Sequence, residues 1–194
     1  MISCFFGVPG CGKSTLLVYF YRKLRKKYDN VYTINLEIKG VPQISFSDLG
    51  KYKFSNSLIL IDEITMEADN RDFKNFDVNI RNFFILHRHL HTDIIYATQN
   101  YENVDKKIRD LTNDLWYMKK SVVPFFKEFT YCRRIWRNIT IDLNNSSLTL
   151  GYRFCTFIEG LFSSNFKFIF RRKYYKYFDS FDNLVLTGRE EYKL

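Results

Sequence analysis

Short apolar segments alternate with polar and amphipathic ones along the first 120 residues of the chain. The apolar segments have the length of strands buried in a parallel sheet, and the predicted strands span residues 2–6, 31–36, 58–63, 93–100 and 114–118. Apolar side chains at helical spacing predict helices over residues 14–28, 80–90 and 104–111. This alternation predicts an α/β fold with a central, mostly parallel sheet flanked by helices.

The pattern changes after residue 120. Alternating stretches over residues 127–137 and 147–157 predict β-strands, with a turn at Asn144 and Asn145. We therefore divide the chain into a core, residues 1–120, and a β-rich C-terminal extension, residues 121–194, that packs on the core. Within the core, glycine and proline interrupt residues 40–57, which predicts a loop, and the mainly polar residues 67–79 are expected to be exposed.

Length and composition indicate a folded protein with a basic surface. The chain has 194 residues, of which 46% are hydrophobic and 19% aromatic, a composition that favours a folded chain over a disordered one. The formal net charge of +9 favours an acidic partner, although the codon bias of an AT-rich genome is an alternative explanation. In residues 166–178, cations alternate with aromatic side chains. This mixture is typical of surfaces that bind single-stranded DNA or anionic membranes, and also of a solvated basic face over an aromatic core.

The cysteines and the hydropathy indicate where the protein acts. Its four cysteines have no metal-ligand spacing, and we interpret them as reduced thiols of a cytoplasmic protein. The first strand starts at residue 2, so we expect no signal peptide and no secretion. No stretch approaches 18 consecutive apolar residues, so no transmembrane segment is predicted.

The most specific motif is GVPGCGKST at residues 7–15, between the first predicted strand and the first predicted helix. It fits the phosphate-binding pattern G-x-x-x-x-G-K-[ST], in which backbone N–H groups converge on phosphate oxygens. Lys13 would reach the β- and γ-phosphates, and the Ser14 hydroxyl would ligate Mg²⁺. The candidate nucleotide-binding residues are Gly7, Val8, Pro9, Gly10, Cys11, Gly12, Lys13, Ser14 and Thr15. This motif predicts that the protein binds a nucleoside triphosphate.

A second motif is the pair of acidic residues that ends the strand predicted at residues 58–63. Asp62 is expected to help hold Mg²⁺, and Glu63 to orient or deprotonate the attacking water. The pair favours hydrolysis over phosphoryl transfer to a small molecule. We expect the strand that ends in Asp62 to lie beside the strand that precedes the phosphate-binding loop.

Polar residues also lie before and at the end of the strand predicted at residues 93–100. Gln99 is at its carboxyl end, the edge where ligands bind in open α/β sheets, and could contact the γ-phosphate or the attacking water. An ordinary loop amide is the alternative. His87, His89 and His91 precede the strand. On a helix only the first and third would share a face, which favours packing histidines over a zinc site.

Taken in order, these motifs resemble the zonula occludens toxin (Zot) family, the assembly ATPases of filamentous phages, which are similar to the FtsK/HerA branch of P-loop motors. The resemblance is carried by GVPGCGKST, by LILIDE at residues 58–63 and by the segment from His87-Arg88-His89 to Gln99. Val104-Asp105 through Ile108-Arg109 and Tyr177-Phe178-Asp179-Ser180 also match. The matching segments are distributed over nearly the whole chain.

The resemblance implies an ATPase ring in the host cytoplasm, with a hexamer favoured, that uses ATP and Mg²⁺ to drive virion assembly and export. It implies that Arg88 acts on the nucleotide of a neighbouring subunit, with Arg109 as second choice. Its expected partners are phage assembly or membrane proteins. Family members commonly continue into a transmembrane helix, whereas none is predicted here. Attachment to the inner membrane would then come from a partner or from the basic extension, or else the protein does not act in export.

Two other functions remain open on the sequence alone. One is a small-molecule kinase, which would need an acceptor pocket and a lid. The other is a nucleotide-gated adaptor that binds DNA or membrane without fast turnover.

Overall fold

The computed structural model describes residues 1–69, 77–121, 127–142, 147–156, 159 and 164–178. Within them, one sheet contains eight strands: β1 Ile2–Phe6, β2 Asn30–Ile34, β3 Ser57–Ile61, β4 Asp93–Thr98, β5 Asp114–Lys120, β6 Phe129–Asp142, β7 Ser147–Phe154 and β8 Phe166–Phe170. The α-helices of these residues are α1 Lys13–Leu24, α2 Val78–Leu86 and α3 Lys106–Leu111. The predicted α/β fold with a mostly parallel central sheet is confirmed.

The sheet order is β2-β3-β4-β1-β5-β6-β7, and β8 pairs with β6. Strands β1 to β5 are parallel, whereas β6 is antiparallel to β5, β7 and β8. The expectation that the Asp62 strand lies beside the phosphate-loop strand is wrong, because β4 pairs with β1 on one side and with β3 on the other. Residues 94–97 of β4 are buried, as a strand covered on both faces requires.

Helices cover both faces of the parallel part of the sheet. On one face, Leu16, Leu17 and Phe20 of α1 pack with Leu58 and Leu60 of β3. Ile59 and Ile61, the alternate residues of β3, point to the other face, where they pack with apolar side chains of α2 and α3. The core therefore lies between the sheet and its helices.

Several predicted boundaries differ from those in the structure. Helix α1 ends at Leu24, and a 3₁₀ turn, Arg25–Lys27, follows it. The predicted loop at 40–57 contains a 3₁₀ helix, Phe46–Gly50, whose two apolar side chains are buried. Helix α2 starts earlier than predicted and ends at Leu86, so the three histidines lie after it. Ala68 is buried, contrary to the exposed segment expected at 67–79, of which residues 70–76 lie outside the described residues. Asn144 and Asn145 also lie outside them.

The strands after residue 121 extend the same sheet, and the segment after β8 returns to α1. Tyr174 and Phe178 belong to the apolar cluster on the α1 face, and the Tyr174 ring meets the Tyr19 ring with centroids 6.0 Å apart. The division into a core and an extension at residue 120 stays a prediction. In the described part of the chain, no helix is both long enough and apolar enough to cross a bilayer.

Candidate nucleotide-binding site

The phosphate-binding loop, residues 7–15, follows β1 and includes the first three residues of α1. Gly10 and Gly12 have φ angles of +73° and +97°, a region that favours glycine because it has no Cβ. Val8 and Pro9 are exposed at the tip, while Cys11 and Thr15 are buried beneath it. The Lys13 ammonium donates to the Gly7 carbonyl at 3.1 Å. The nine loop residues are thus together, in the strand–loop–helix setting that the motif requires.

Two residues far along the chain hold this loop from the side of β6 and β8. The Thr130 hydroxyl donates to the Cys11 carbonyl at 2.6 Å. The Arg171 guanidinium donates to the carbonyls of Gly10 at 3.3 Å and Lys127 at 2.6 Å. A Cβ at Gly12 would lie 2.7 Å from the Arg171 Cδ atom and 2.9 Å from the Thr130 hydroxyl oxygen. This glycine is therefore required by the close packing as well as by its backbone conformation.

Neither of these contacts is predicted from the sequence. Thr130 belongs to no motif, and Arg171 lies among the alternating cations and aromatic residues of 166–178, which predict a cationic surface. Arg171 is instead 8% exposed and lies under the loop, whereas its neighbours Arg172 and Lys173 are exposed. Alternation of cations with aromatic residues does not distinguish a buried arginine from a solvated one.

The candidate metal-binding residues meet at the carboxyl edge of the sheet. The Ser14 hydroxyl donates to the Asp62 carboxylate at 2.5 Å. Burial raises the pKa of Asp62, while the Ser14 hydrogen bond and the Lys13 charge act in the opposite direction. A hydroxyl and a carboxylate side by side are oxygen ligands of the kind that Mg²⁺ takes. A cation here would also offset the cost of burying the Asp62 charge. The residues present therefore fit a Mg²⁺ ion.

Asp62→Asn is expected to raise the unfolding temperature of the nucleotide-free protein at neutral pH. A carboxyl whose folded-state pKa is raised loses its contribution to stability as the pH rises through that pKa. The amide has no charge to bury, and it can still bond both Ser14 and the Glu63 backbone. The difference between variant and parent should therefore shrink as the pH falls. Thermal unfolding across a pH series measures it, with the exposed Asp110→Asn as control. An asparagine variant that is less stable than the parent at neutral pH would contradict this expectation.

Glu63 is held at the same edge by three donors. Its carboxylate accepts from the hydroxyls of Thr65 at 2.7 Å and Thr98 at 3.2 Å, and from the Gln99 backbone N–H at 3.2 Å. The Glu63 backbone has a left-handed φ of 43°, which is costly for a residue with a side chain. Since Asp62 also accepts from the Glu63 N–H, this strained turn places the two carboxylates next to each other.

Thr98, at the end of β4, connects Glu63 to the phosphate-binding loop. Its hydroxyl donates to Glu63, and its carbonyl accepts from the Gly7 N–H at 3.3 Å. The residue predicted from the sequence is the next one, Gln99, whose backbone N–H bonds Glu63 while its side chain is exposed. A direct contact between the Gln99 amide and a phosphate stays a prediction.

The two candidate arginines lie away from this cluster in their own chain. Arg88 is exposed in the turn before β4, and therefore at the amino edge of the sheet. One strand of about 17 Å separates that edge from the carboxyl edge. Arg109 is half-buried on α3, with its guanidinium 5.9 Å from the Tyr101 ring centroid. Within the described residues, the structure brings neither arginine to residues 7–15 of the same chain.

The histidines do not converge either. His87 is buried and its Nδ1 atom lies 2.7 Å from the Phe84 carbonyl oxygen, whereas His89 and His91 are exposed. Burial lowers the pKa of His87. Within the described ranges, no group of three or more histidine, cysteine, aspartate or glutamate side chains is arranged to hold a metal ion.

A parallel sheet with a glycine-rich loop between β1 and α1, and acidic residues after β3, defines a P-loop NTPase fold. The chain belongs to the zonular occludens toxin (Zot) family, whose sequence model matches residues 20–145. The predicted resemblance is therefore confirmed. The match includes Asp62, Glu63, Arg88 and Gln99, and it starts after the phosphate-binding loop.

Solved structures with the same fold include the N-terminal domain of zonular occludens toxin from Neisseria meningitidis. It aligns with a TM-score of 0.61 and 16% identity over 92% of this chain and 98% of that one. The genome packaging NTPase B204 of Sulfolobus turreted icosahedral virus 2, in complex with ATP-gammaS, aligns with a TM-score of 0.53 and 13% identity, covering 77% and 95% of the two chains. The flagellar accessory protein FlaH of Methanocaldococcus jannaschii aligns with a TM-score of 0.50 and 12% identity, covering 69% of this chain and 76% of that one. At these identities the likeness concerns the fold. No curated protein matches the sequence significantly.

Proposed function

We propose that this protein is a Mg²⁺-dependent ATPase that works as the subunit of an oligomeric motor in filamentous phage assembly and export, or in DNA translocation. The observation that carries the proposal is the position of Glu63. Its carboxylate is fixed by Thr65, Thr98 and the Gln99 N–H, directly beside the Ser14–Asp62 pair. A carboxylate next to the metal-binding residues can orient and deprotonate a water, which is the requirement of hydrolysis.

Each residue of the site has a role in this reaction. The loop N–H groups and Lys13 bind the phosphates, and the Lys13 ammonium leaves the Gly7 carbonyl to do so. Ser14 and Asp62 hold Mg²⁺, which, when bound, neutralises charge on the phosphate oxygens. Glu63 holds the attacking water and accepts its proton. Gln99, at the end of β4, detects the γ-phosphate and transmits its presence through the N–H that bonds Glu63.

The position of Arg88 supports a site completed between subunits. It is exposed at the edge of the sheet opposite its own loop, so it is available to the nucleotide of a neighbouring copy. An arginine supplied in this way contributes about 10³–10⁵ in rate in GTPases. We therefore propose a ring, with a hexamer favoured, in which the isolated subunit turns over slowly. Arg109 is the second choice because its guanidinium already lies over the Tyr101 ring.

The cellular role is proposed from the family. We place the protein in the host cytoplasm, peripheral at the inner membrane, with phage assembly or membrane proteins as partners. A solved relative in fold is a genome packaging NTPase, which is consistent with movement of DNA. The exposed cations of the C-terminal extension, such as Arg172 and Lys173, supply charge for single-stranded DNA or anionic lipid.

Specific ATPase activity measured against protein concentration tests this proposal. It should rise steeply with concentration, and rise further with single-stranded DNA or anionic vesicles if either is the partner. Arg88→Ala and Lys13→Ala should each be nearly inactive, whereas their mixture should regain part of the activity. In the mixture, some subunit interfaces combine the intact loop of an Arg88→Ala subunit with the intact Arg88 of a Lys13→Ala subunit. Arg25→Ala, which removes another exposed arginine, is the control and should keep parental activity.

Other outcomes would favour the other functions. Activity per subunit that is independent of concentration, with no recovery in the mixture, would refute a shared site. Turnover that depends strictly on an added acceptor would indicate a kinase. ATP binding without turnover at any concentration, with or without DNA and vesicles, would indicate an adaptor.

A further inference from the structure

A cavity of about 930 Å³ opens beside the phosphate-binding loop, between it, the end of β5 and the segments after β2 and β8. Loop residues Gly10, Gly12 and Lys13 to Thr15 form part of its lining. The rest comes from distant parts of the chain: Lys39, Lys120, Arg171, Tyr175, Lys176 and Phe178. Its volume lies within the usual range of small-molecule sites, about 300–1,000 Å³.

The position of the hydrolytic residues determines which part of a nucleotide this cavity can take. Asp62 and Glu63 follow β3, and Gln99 follows β4, on the other side of the loop from β5. A γ-phosphate must face these residues. The nucleoside is at the opposite end of the molecule, so it must extend past Ser14 and Thr15 toward β5 and the segment after β8.

We propose that this cavity is the nucleoside subsite, and that the Tyr175 ring stacks on the base. The inference rests on the proposed nucleoside triphosphate binding and extends it to named residues. Tyr175 is 45% exposed although it is aromatic, so part of its side chain is accessible to a ligand. An aromatic face suits any base, because every base has a π-face. Among the described residues that line the cavity, the charged side chains are all cationic, as an α-phosphate requires.

The Tyr175 ring is fixed relative to the phosphate-binding loop. The Tyr175 hydroxyl donates to the Glu128 carboxylate at 3.0 Å, which fixes the tilt of the ring. The segment after β8, which carries Tyr175, is attached to the phosphate-binding loop through the Arg171 bond to the Gly10 carbonyl. It is also attached to the residues after β2, because the Lys39 N–H donates to the Tyr177 carbonyl at 3.2 Å. The ring is therefore held at a set distance from the phosphates before a ligand arrives, which reduces the entropy lost on binding.

Calorimetric titration with two probes, ATP and inorganic tripolyphosphate, each with Mg²⁺, tests the inference. Tyr175→Ala should weaken ATP binding roughly tenfold or more, since stacking on an aromatic ring contributes about that much per base. Its affinity for tripolyphosphate, which has no base, should be unchanged. Tyr175→Phe should lose less affinity for ATP than the alanine variant, because it keeps the ring and loses only the hydroxyl bond to Glu128. Tyr52→Ala, at a tyrosine 65% exposed and outside the cavity lining, is the control.

Two results would overturn the subsite. One is parental ATP affinity in Tyr175→Ala, and the other is an equal loss for both probes. Tyr175→Leu, which keeps apolar volume without a flat ring, should behave like the alanine variant, and thermal unfolding of each variant excludes misfolding as the cause. Failure of the parent to bind either probe would instead refute the proposed nucleotide binding, so the two failures are distinguishable.

Discussion

Glu63→Gln should lower ATP turnover by about 10²–10⁴-fold, the usual contribution of a general base, and should leave ATP affinity close to that of the parent. Glutamine keeps an oxygen that can accept the bonds from Thr65, Thr98 and the Gln99 N–H, so the turn is expected to keep its shape. It loses the negative charge that orients the water and accepts its proton. Steady-state phosphate release and equilibrium ATP binding, measured at the same subunit concentration, separate the two effects.

Glu37→Gln is the matched control, because it makes the same chemical change at an exposed position. It should hydrolyse ATP at the parental rate. Hydrolysis by Glu63→Gln at that rate would mean that another group activates the water. A loss of ATP affinity equal to the loss of rate would mean that Glu63 acts by holding the loop.

Arg171→Ala should destabilise the protein by about 2–4 kcal/mol, because each hydrogen bond from a charged donor contributes about 1.5–3 kcal/mol. It removes the bonds to the Gly10 and Lys127 carbonyls and the packing over Gly12. On the side of β6 and β8, the loop would then keep the Thr130 bond to the Cys11 carbonyl and lose its contacts with Arg171. We therefore also expect ATP binding to weaken by about tenfold or more. Urea unfolding and ATP titration measure the two changes.

The adjacent Arg172→Ala is the control, since its side chain is exposed, and it should leave both quantities near parental values. Arg171→Lys should fall between the parent and the alanine variant, because one ammonium cannot reproduce the planar two-carbonyl contact. If Arg171→Ala matched the parent in both measurements, the contact with the loop would have no role in stability or binding.

The chemistry of the site could be predicted from the sequence because its main residues lie in contiguous motifs. The loop residues are consecutive, and Asp62 and Glu63 follow an apolar strand. A strand end is a position that hydropathy locates well. Ser14 and Asp62 therefore meet as the motifs imply, even though the expected strand order was wrong.

Strand order and loop support could not be predicted in the same way. The apolar segments of β1, β3 and β4 look alike, so no local pattern shows that β4 lies between the other two. Thr98, Thr130 and Arg171 act through backbone carbonyls and single hydrogen bonds, and such contacts impose no sequence motif. Helix ends were wrong by a few residues for a related reason, since packing of the final turn decides where a helix stops.

The long-range contacts of the phosphate-binding loop also set the order in which the protein can mature during synthesis. The loop is translated near the start, yet one of its supports, Arg171, is 161 residues further along the chain than Gly10. At about 5–20 residues per second, roughly 10–30 s pass before that arginine is added. The loop must remain without this support on the ribosome, and a nascent chain lacks the complete nucleotide site. Nucleotide capture is thereby deferred until nearly all of the sheet can form.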